Sequence, residues 1–316
     1  MQGPSGNSHY TKRIFSCIIY RVAHENRLKR KGVVKNMSIK ISSDSTCDLS
    51  PELLKQYDIA IIPLSILKAG NYYKDSIEIQ PEDIFSHVAA GGELCTTSAV
   101  NVADYIEFFT ELRKSHEAVI HITISAEFSA CYRSACIAAQ ELDHVYVVDS
   151  RNLSSGHGHI VVEAAKMAGD GLTPEEIVAR LNELTAKVEA SFILDRLDYM
   201  KKGGRCSAAT AFGANLFNIK PCIEVIGGKM DVVKKYRGSF EKCLREYVRD
   251  RLEGRGDLVP ERIFITHTPV DDGIVPLVRE EIAKYAAFDQ VIETIAGCTV
   301  SCHCGPHTLG ILFIRK

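Results

Sequence analysis

Six polar side chains carry the chemistry that this sequence offers. Thr96 and Thr97 lie in Cys95-Thr96-Thr97-Ser98, Ser125 and Ser129 in ISAEFSA, Arg205 directly after Gly203-Gly204, and His303 just before Gly305-Pro306. Hydroxyls, an imidazole and a planar guanidinium fork are the groups that hold a carboxylate or phosphate. Taken singly each has a plainer reading: a short hydroxyl cluster is usually a helix cap, and a lone Arg is usually a solvated charge. Their weight comes from lying together at strand ends of one sheet, where an open α/β fold forms its ligand crevice.

The sequence shows no G-x-S-x-G elbow, Walker loop, H-E-x-x-H or G-x-G-x-x-G after the first strand. Cys298, Cys302, His303, Cys304 and His307 invite a zinc reading, but structural zinc sites use two separated ligand pairs, which this spacing does not give. His303 reads instead as a lone imidazole on a tight turn. A hydrolase or acyltransferase with Ser125, Ser129 or a cysteine as nucleophile and His303 as base is the rival from the enzyme class. No family signature surrounds any cysteine.

Strand and helix alternate from Met37. Ile39 to Ser43 reads as a strand followed by a polar turn, Asp44-Ser45-Thr46, and Ser50-Pro51 caps and starts a helix. Ile59 to Leu67 reads as the next strand, and Thr96-Thr97-Ser98 as a hydroxyl cluster at a helix start. Ile120 to Ile124 is a β-branched run that breaks at Ser125, and Ser129 opens a helix through Tyr132 and Ala135. Val145 to Val148 is a strand, and Ser154-Ser155-Gly156-His157-Gly158 leads into another helix. This is the grammar of a doubly wound parallel sheet over residues 37–170.

After Gly169-Asp170-Gly171 the pattern changes to α+β over residues 171–316. Thr173 to Glu176 reads as a capping box. Leu197 to Lys202 is a helix, a hairpin turns at Gly227-Gly228, and helices follow near Phe240 to Leu252 and Gly273 to Tyr285. Strands Ile263 to Thr266, Val291 to Ile295 and Leu309 to Ile314 complete the second unit.

Of 316 residues, 46% are hydrophobic, enough for a real core, and no run of about 18 apolar residues spans a membrane. The net charge of −2 hides an asymmetry. Residues 1–36 hold eight Lys/Arg and one acidic residue; removing them from the totals of 38 and 40 leaves 30 basic against 39 acidic. The globular part is therefore acidic and a poor nucleic-acid binder. The basic leader lacks the order of a secretory signal and reads as an extension that is disordered or outside the working protein. Eleven cysteines scattered through α/β segments point to a reducing cytoplasm rather than a disulfide scaffold.

In this order the motifs resemble the DegV family. They are Asp44-Ser45-Thr46 with Asp48, Thr96-Thr97-Ser98, I-S-x-x-x-S-x-x-Y-x-S-A at 124–135, Val148-Asp149-Ser150, L-x-Y-x-K-K-G-G-R at 197–205, Lys220-Pro221, and H-C-G-P-x-T-L-G at 303–310. The resemblance covers about residues 38–316. It implies a two-domain fold, an N-terminal parallel doubly wound sheet plus a C-terminal α+β domain with a mixed sheet, holding one long-chain fatty acid between them. It further implies a carrier without covalent chemistry or cofactor of its own, which presents the carboxylate to a fatty acid kinase for acyl phosphate formation. Transient membrane contact stays open, and nucleic acid is not implied. Carried over by motif, the head-group residues are Thr96 or Thr97, Ser125 or Ser129, and His303, with Arg205 close by. Ala126 stands where the family's turn has a second serine. Burying about fifteen methylenes at roughly 0.8 kcal/mol each gives on the order of 12 kcal/mol gross, against an association cost of about 4–15 kcal/mol. A carboxylate at a helix N-terminus adds only about 0.3–2 kcal/mol, so the tail sets affinity and the polar turns set orientation.

Overall fold

The computed structural model describes residues 37–207 and 219–316. The basic leader lies outside the described residues. In chain order the first elements are β1 (Ile39–Asp44), α1 (Pro51–Gln56), β2 (Ala60–Ile62), β3 (Ser65–Lys68), β4 (Asn71–Lys74), α2 (Pro81–Ala89), β5 (Thr96–Ser98), α3 (Val102–Arg113), β6 (Ala118–Thr123), α4 (Cys131–Ala139), β7 (Val145–Asp149) and α5 (Ser154–Gly169). Then follow α6 (Pro174–Leu184), β8 (Val188–Leu194), α7 (Asp198–Gly203), β9 (Ile219–Ile226), β10 (Lys229–Arg237), α8 (Phe240–Leu252), β11 (Leu258–His267), α9 (Ile274–Tyr285), β12 (Gln290–Ile295), α10 (Cys298–Cys304) and β13 (Thr308–Arg315).

The N-terminal part holds a four-stranded parallel sheet, order β2-β1-β6-β7. β6 is buried at every position, as a central parallel strand covered on both faces must be. The C-terminal part holds a six-stranded mixed sheet, order β10-β9-β8-β13-β11-β12, in which only the β11–β12 pair is parallel. The expected helix starts are capped as read. Ser50 accepts from Leu53 N ahead of Pro51, and Thr173 and Glu176 close a capping box.

α5 is the layer between the two sheets. Its residues Ser154–Val162 are all buried, and it packs on β1 and β6 on one side and on β8, β11 and β13 on the other. Neighbouring histidines face opposite ways. His157 lies within hydrogen-bonding distance of Ser43 Oγ (3.0 Å) and the Ile122 carbonyl (3.2 Å) in the parallel sheet, and His159 of the Leu312 carbonyl (3.0 Å) in the mixed sheet. One apolar cluster therefore runs from Ile41 and Ile120 through Ile160 to Phe192 and Leu312. A second cluster fills the outer face of the mixed sheet under α8 and α9.

Four local expectations are corrected. The stretch 59–67 is two strands in different sheets, since Pro63 has no N–H to continue a ladder. Thr96-Thr97-Ser98 is not a helix start but β5, the edge of a small antiparallel sheet, order β4-β3-β5; α3 begins later, capped by Asn101. His303 sits on a short helix, α10, rather than on a turn, and Ser154 to Gly158 lie within α5 rather than ahead of it.

Candidate functional site

The site forms where the turn after β6 meets β5, α10 and the end of α7. Asp44, at the carboxyl end of β1, accepts from Thr46 N (3.1 Å) and, through its other oxygen, from Ile124 N (2.9 Å). Asp149, ending β7, accepts from Ala126 N at 3.2 Å and Arg151 N at 2.8 Å. Two carboxylates thus take up the amides of Ile124 and Ala126, while Ser125 N donates to the Asn152 carbonyl at 2.9 Å, and together they fix the turn's course, so the aspartates of two motifs serve position.

β5 alternates: Thr96 and Ser98 face solvent while Thr97 turns inward. Thr97 Oγ1 lies 2.9 Å from His303 Nε2. The other ring nitrogen, Nδ1, is buried without a partner and points at Gly203, where a Cβ would collide with it. Gly204, at φ 68°, ends α7 in the left-handed region and turns Arg205 back toward the site. The Arg205 guanidinium donates to the carbonyls of Phe128 (3.3 Å) and Gly203 (2.7 Å). Burial, helped by the nearby Arg205 charge, pushes the His303 imidazole down to about 4, so it is neutral at pH 7.

A cavity of about 280 Å³ opens on these groups, close to the lower end of the range of about 300–1,000 Å³ for small-molecule sites. Thr97, Ser129, Arg205 and His303 line it, and Leu64, Ile124, Phe128, Leu153, Met230 and Val300 supply an apolar wall. Four of the six sequence candidates therefore converge. The other two do not line it. Thr96 points to solvent by strand alternation, and the Ser125 hydroxyl is fully buried and donates to the Gly228 carbonyl at 2.8 Å, tying the turn to the β9–β10 hairpin. Ala126 is exposed, away from the cavity, while Ser129 is half-buried and lines it. Thr299, which the sequence did not single out, and Cys304, weighed only as a zinc ligand, also line the cavity; both lie on α10.

A larger cleft of about 560 Å³ borders Asp48 and Asp75. Both carboxylates are spent on internal donors: Asp48 accepts from Ser154 Oγ and Gly297 N, and Asp75 from Ser45 Oγ, Cys298 N and Thr299 Oγ1. The larger cleft thus offers its acidic groups already engaged, and none of the six sequence candidates lines it. Among the described residues no three His, Cys, Asp or Glu side chains converge to hold a metal ion. Neither Ser125 nor Ser129 bonds to His303, so those residues form no nucleophile–base pair in this arrangement.

The cavity, apolar over most of its lining and bearing hydroxyl, imidazole and guanidinium groups, lies in an α/β protein with one parallel and one mixed sheet. The family model described as "Uncharacterised protein, DegV family" matches residues 38–316, and the chain belongs to the DegV family. A DegV domain-containing protein of Caldanaerobacter subterraneus is 31% identical over 281 residues, 88% of this chain and 99% of that one. Among solved structures, a fatty-acid-binding DegV family protein from Thermus thermophilus superposes with a TM-score of 0.80 at 29% identity, covering 89% of this chain and 100% of the other. A DegV lipid-binding protein from Thermotoga maritima gives 0.78 at 28% identity, with 89% and 100% covered.

Proposed function

We propose that this chain binds a single long-chain fatty acid, its carboxylate held by Thr97, Ser129, His303 and Arg205 and its tail along the apolar wall, and presents the head group to a separate fatty acid kinase. The observation that supports the reading is the convergence of three motif side chains, Thr97, His303 and Arg205, on one predominantly apolar cavity. The fatty-acid binding of structures related over nearly the whole chain supports it.

The chemistry of presentation follows from charge. A carboxylate entering beside His303 raises the imidazole's proton affinity, and Arg205 supplies a fixed positive charge. Thr97 and Ser129 add short-range hydrogen bonds that orient the two oxygens. One carboxylate oxygen left toward the cavity mouth is then the nucleophile for a phosphoryl group that the kinase brings. The carrier itself forms no bond to substrate.

Mass spectrometry of the purified protein, native and then after solvent extraction, tests the reading. One released fatty acid per chain is expected. A protein that is empty and takes up no added long-chain acid would refute it. Addition of a fatty acid kinase with ATP should yield acyl phosphate only when the loaded chain is present, and acyl phosphate formed at the same rate from free acid would remove the presentation role.

A further inference from the structure

The Thr97–His303 pair has a second pair of side chains beside it. Cys95 directly precedes β5 and is buried beside the inward-facing Thr97, and Cys302 immediately precedes His303 on α10. The two thiols meet in a small apolar cluster with Ile66, Ile79, Ile84 and Cys298. Cys95 is 7% exposed and Cys302 4%. The Cys298 thiol donates to the Ile79 carbonyl at 3.1 Å.

We propose that Cys95 and Cys302 are an oxidative modification site, a dithiol that closes to a disulfide and thereby fixes β5 to α10 and the Thr97 hydroxyl to the His303 ring. The local electrostatics are those of a reactive pair. The neighbouring Cys302 thiol, assisted by the Lys68 charge, holds Cys95 down at about 7, while the neighbouring Cys95 and burial push Cys302 up. Cys95 is thus the attacking thiolate and Cys302 the resolving thiol.

With a peroxide as oxidant the step balances. The Cys95 thiolate attacks one oxygen of hydrogen peroxide, the O–O bond breaks, and the released hydroxide takes a proton to leave as water. The resulting sulfenic acid is attacked by Cys302 sulfur; the S–S bond forms, the S–O bond breaks, and the second water carries off the remaining proton. Two thiols lose two electrons and the peroxide gains them. A small dithiol reverses the change through a mixed disulfide.

The consequence for ligand exchange rests on the function proposed above. If Thr97 and His303 must part for the head group to enter or leave, the disulfide slows both directions and traps whichever state was present.

The experiment uses the full chain. Reduced protein is treated with stoichiometric hydrogen peroxide, alkylated, digested and mapped by mass spectrometry, and release of a fluorescent long-chain fatty acid to albumin is timed before and after. A single Cys95–Cys302 cross-link is expected, reversed by dithiothreitol and absent in Cys95→Ser, with release slowed by about tenfold in the oxidised wild type alone. Thiols at 95 and 302 that stay alkylatable at doses that oxidise the less buried Cys136 would overturn the proposal, and so would a Cys298–Cys302 link or an unchanged release rate. Reduced protein that binds no fatty acid, yet forms the Cys95–Cys302 link, would overturn the function reading and uphold the dithiol. Mapping the wild type does not depend on how any variant folds.

Discussion

His303 meets a different neighbour at each ring nitrogen: Nε2 faces a hydroxyl and Nδ1 faces the end of α7 without a partner. With its acidity set at about 4 in the empty site, the ring is neutral at pH 7, and a bound carboxylate raises it. The complex then holds more protons than the free protein, so affinity should rise as pH falls from 8 to 6, where the ligand is still ionised. Calorimetric titration across that range should show the slope in the wild type and its loss in His303→Gln. His303→Ala should weaken binding by about 1.5–3 kcal/mol, roughly ten- to a hundredfold in Kd; wild-type affinity in that variant would remove the imidazole from the head-group site. At this scale the sequence spoke through its order of motifs. Thr97, Ser129, Arg205 and His303 were legible because hydroxyls, Arg and His recur at chain breaks. The choice between Thr96 and Thr97 was not, because it depends on strand alternation and the segment reads as a helix start. Ser125 was misleading because its bond to the Gly228 carbonyl links residues far apart in sequence.

α5 shows how an element can be read correctly in kind and missed in role. The run Ser154 to Gly158 marks a helix, yet nothing local says that both its faces are buried. Its glycines make the fit possible. A Cβ at Gly158 would sit 2.7 Å from the Cys47 carbonyl oxygen and 2.8 Å from Leu49 Cδ2, and one at Gly156 would press on Ala190 Cβ at 3.1 Å. Gly158→Ala should therefore destabilise by about 1–3 kcal/mol, the overpacking cost exceeding the helix-propensity gain of about 1 kcal/mol. Gly169, at the far end of the same helix, has open space around its Cβ position, so Gly169→Ala should be neutral or stabilising by up to about 1 kcal/mol. Urea unfolding of the two variants side by side checks the contrast, and equal effects would mean that α5 is not tightly seated. α10 was missed for the opposite reason: Cys, Thr, Val and Ser are weak helix formers, and only packing against α2, α7 and β5 holds seven such residues in a helix.

The whole molecule carries buried titratable groups of both signs, and they tilt its stability in opposite directions. Burial pushes His121 and His159 down to about 3 and lowers His157 as well. For His121 and His159 the contribution is fully present above an unfolded value of about 6.5 and is lost as pH falls through about 3, because the unfolded chain takes up protons first, and His157 acts in the same direction. Burial pushes Asp48 up to about 8 against the pull of its bonds from Ser154 and Gly297. Its contribution is present below an unfolded value of about 3.9 and is lost as pH rises through about 8. Thermal melting should thus fall on both sides of neutrality. Asp48→Asn, which keeps an acceptor for Gly297 N and tolerates the backbone φ of 48°, should flatten the limb from neutrality to about pH 8 and steepen the fall between about pH 6.5 and 3.9, where the carboxyl group no longer opposes the histidines; a parallel downward shift of the whole curve would show that the carboxyl group is needed as such. The parallel sheet was legible from the alternation of strands and helices and the α+β character of the second half from its change of pattern, whereas the mixed sheet came only with the family resemblance. The sharing of one helix by the two sheets was not legible, since it is a property of distant segments.

That shared helix also sets an order of events during synthesis. β13 lies between β8 and β11 in the middle of the mixed sheet, and its Leu312 carbonyl is where His159 of α5 finds its partner. On the ribosome α5 emerges long before β13 does. Until then β8 with its hairpin and β11 with β12 are separate fragments, and one apolar side of α5 has nothing complete to rest against. A nascent chain stalled in that interval would offer a bare greasy face to chaperones, proteases or other stalled copies. The strand that arrives latest among the described elements is therefore the one that joins the fragments, and a lesion there should be felt as a failure of biogenesis even where the cavity residues are intact.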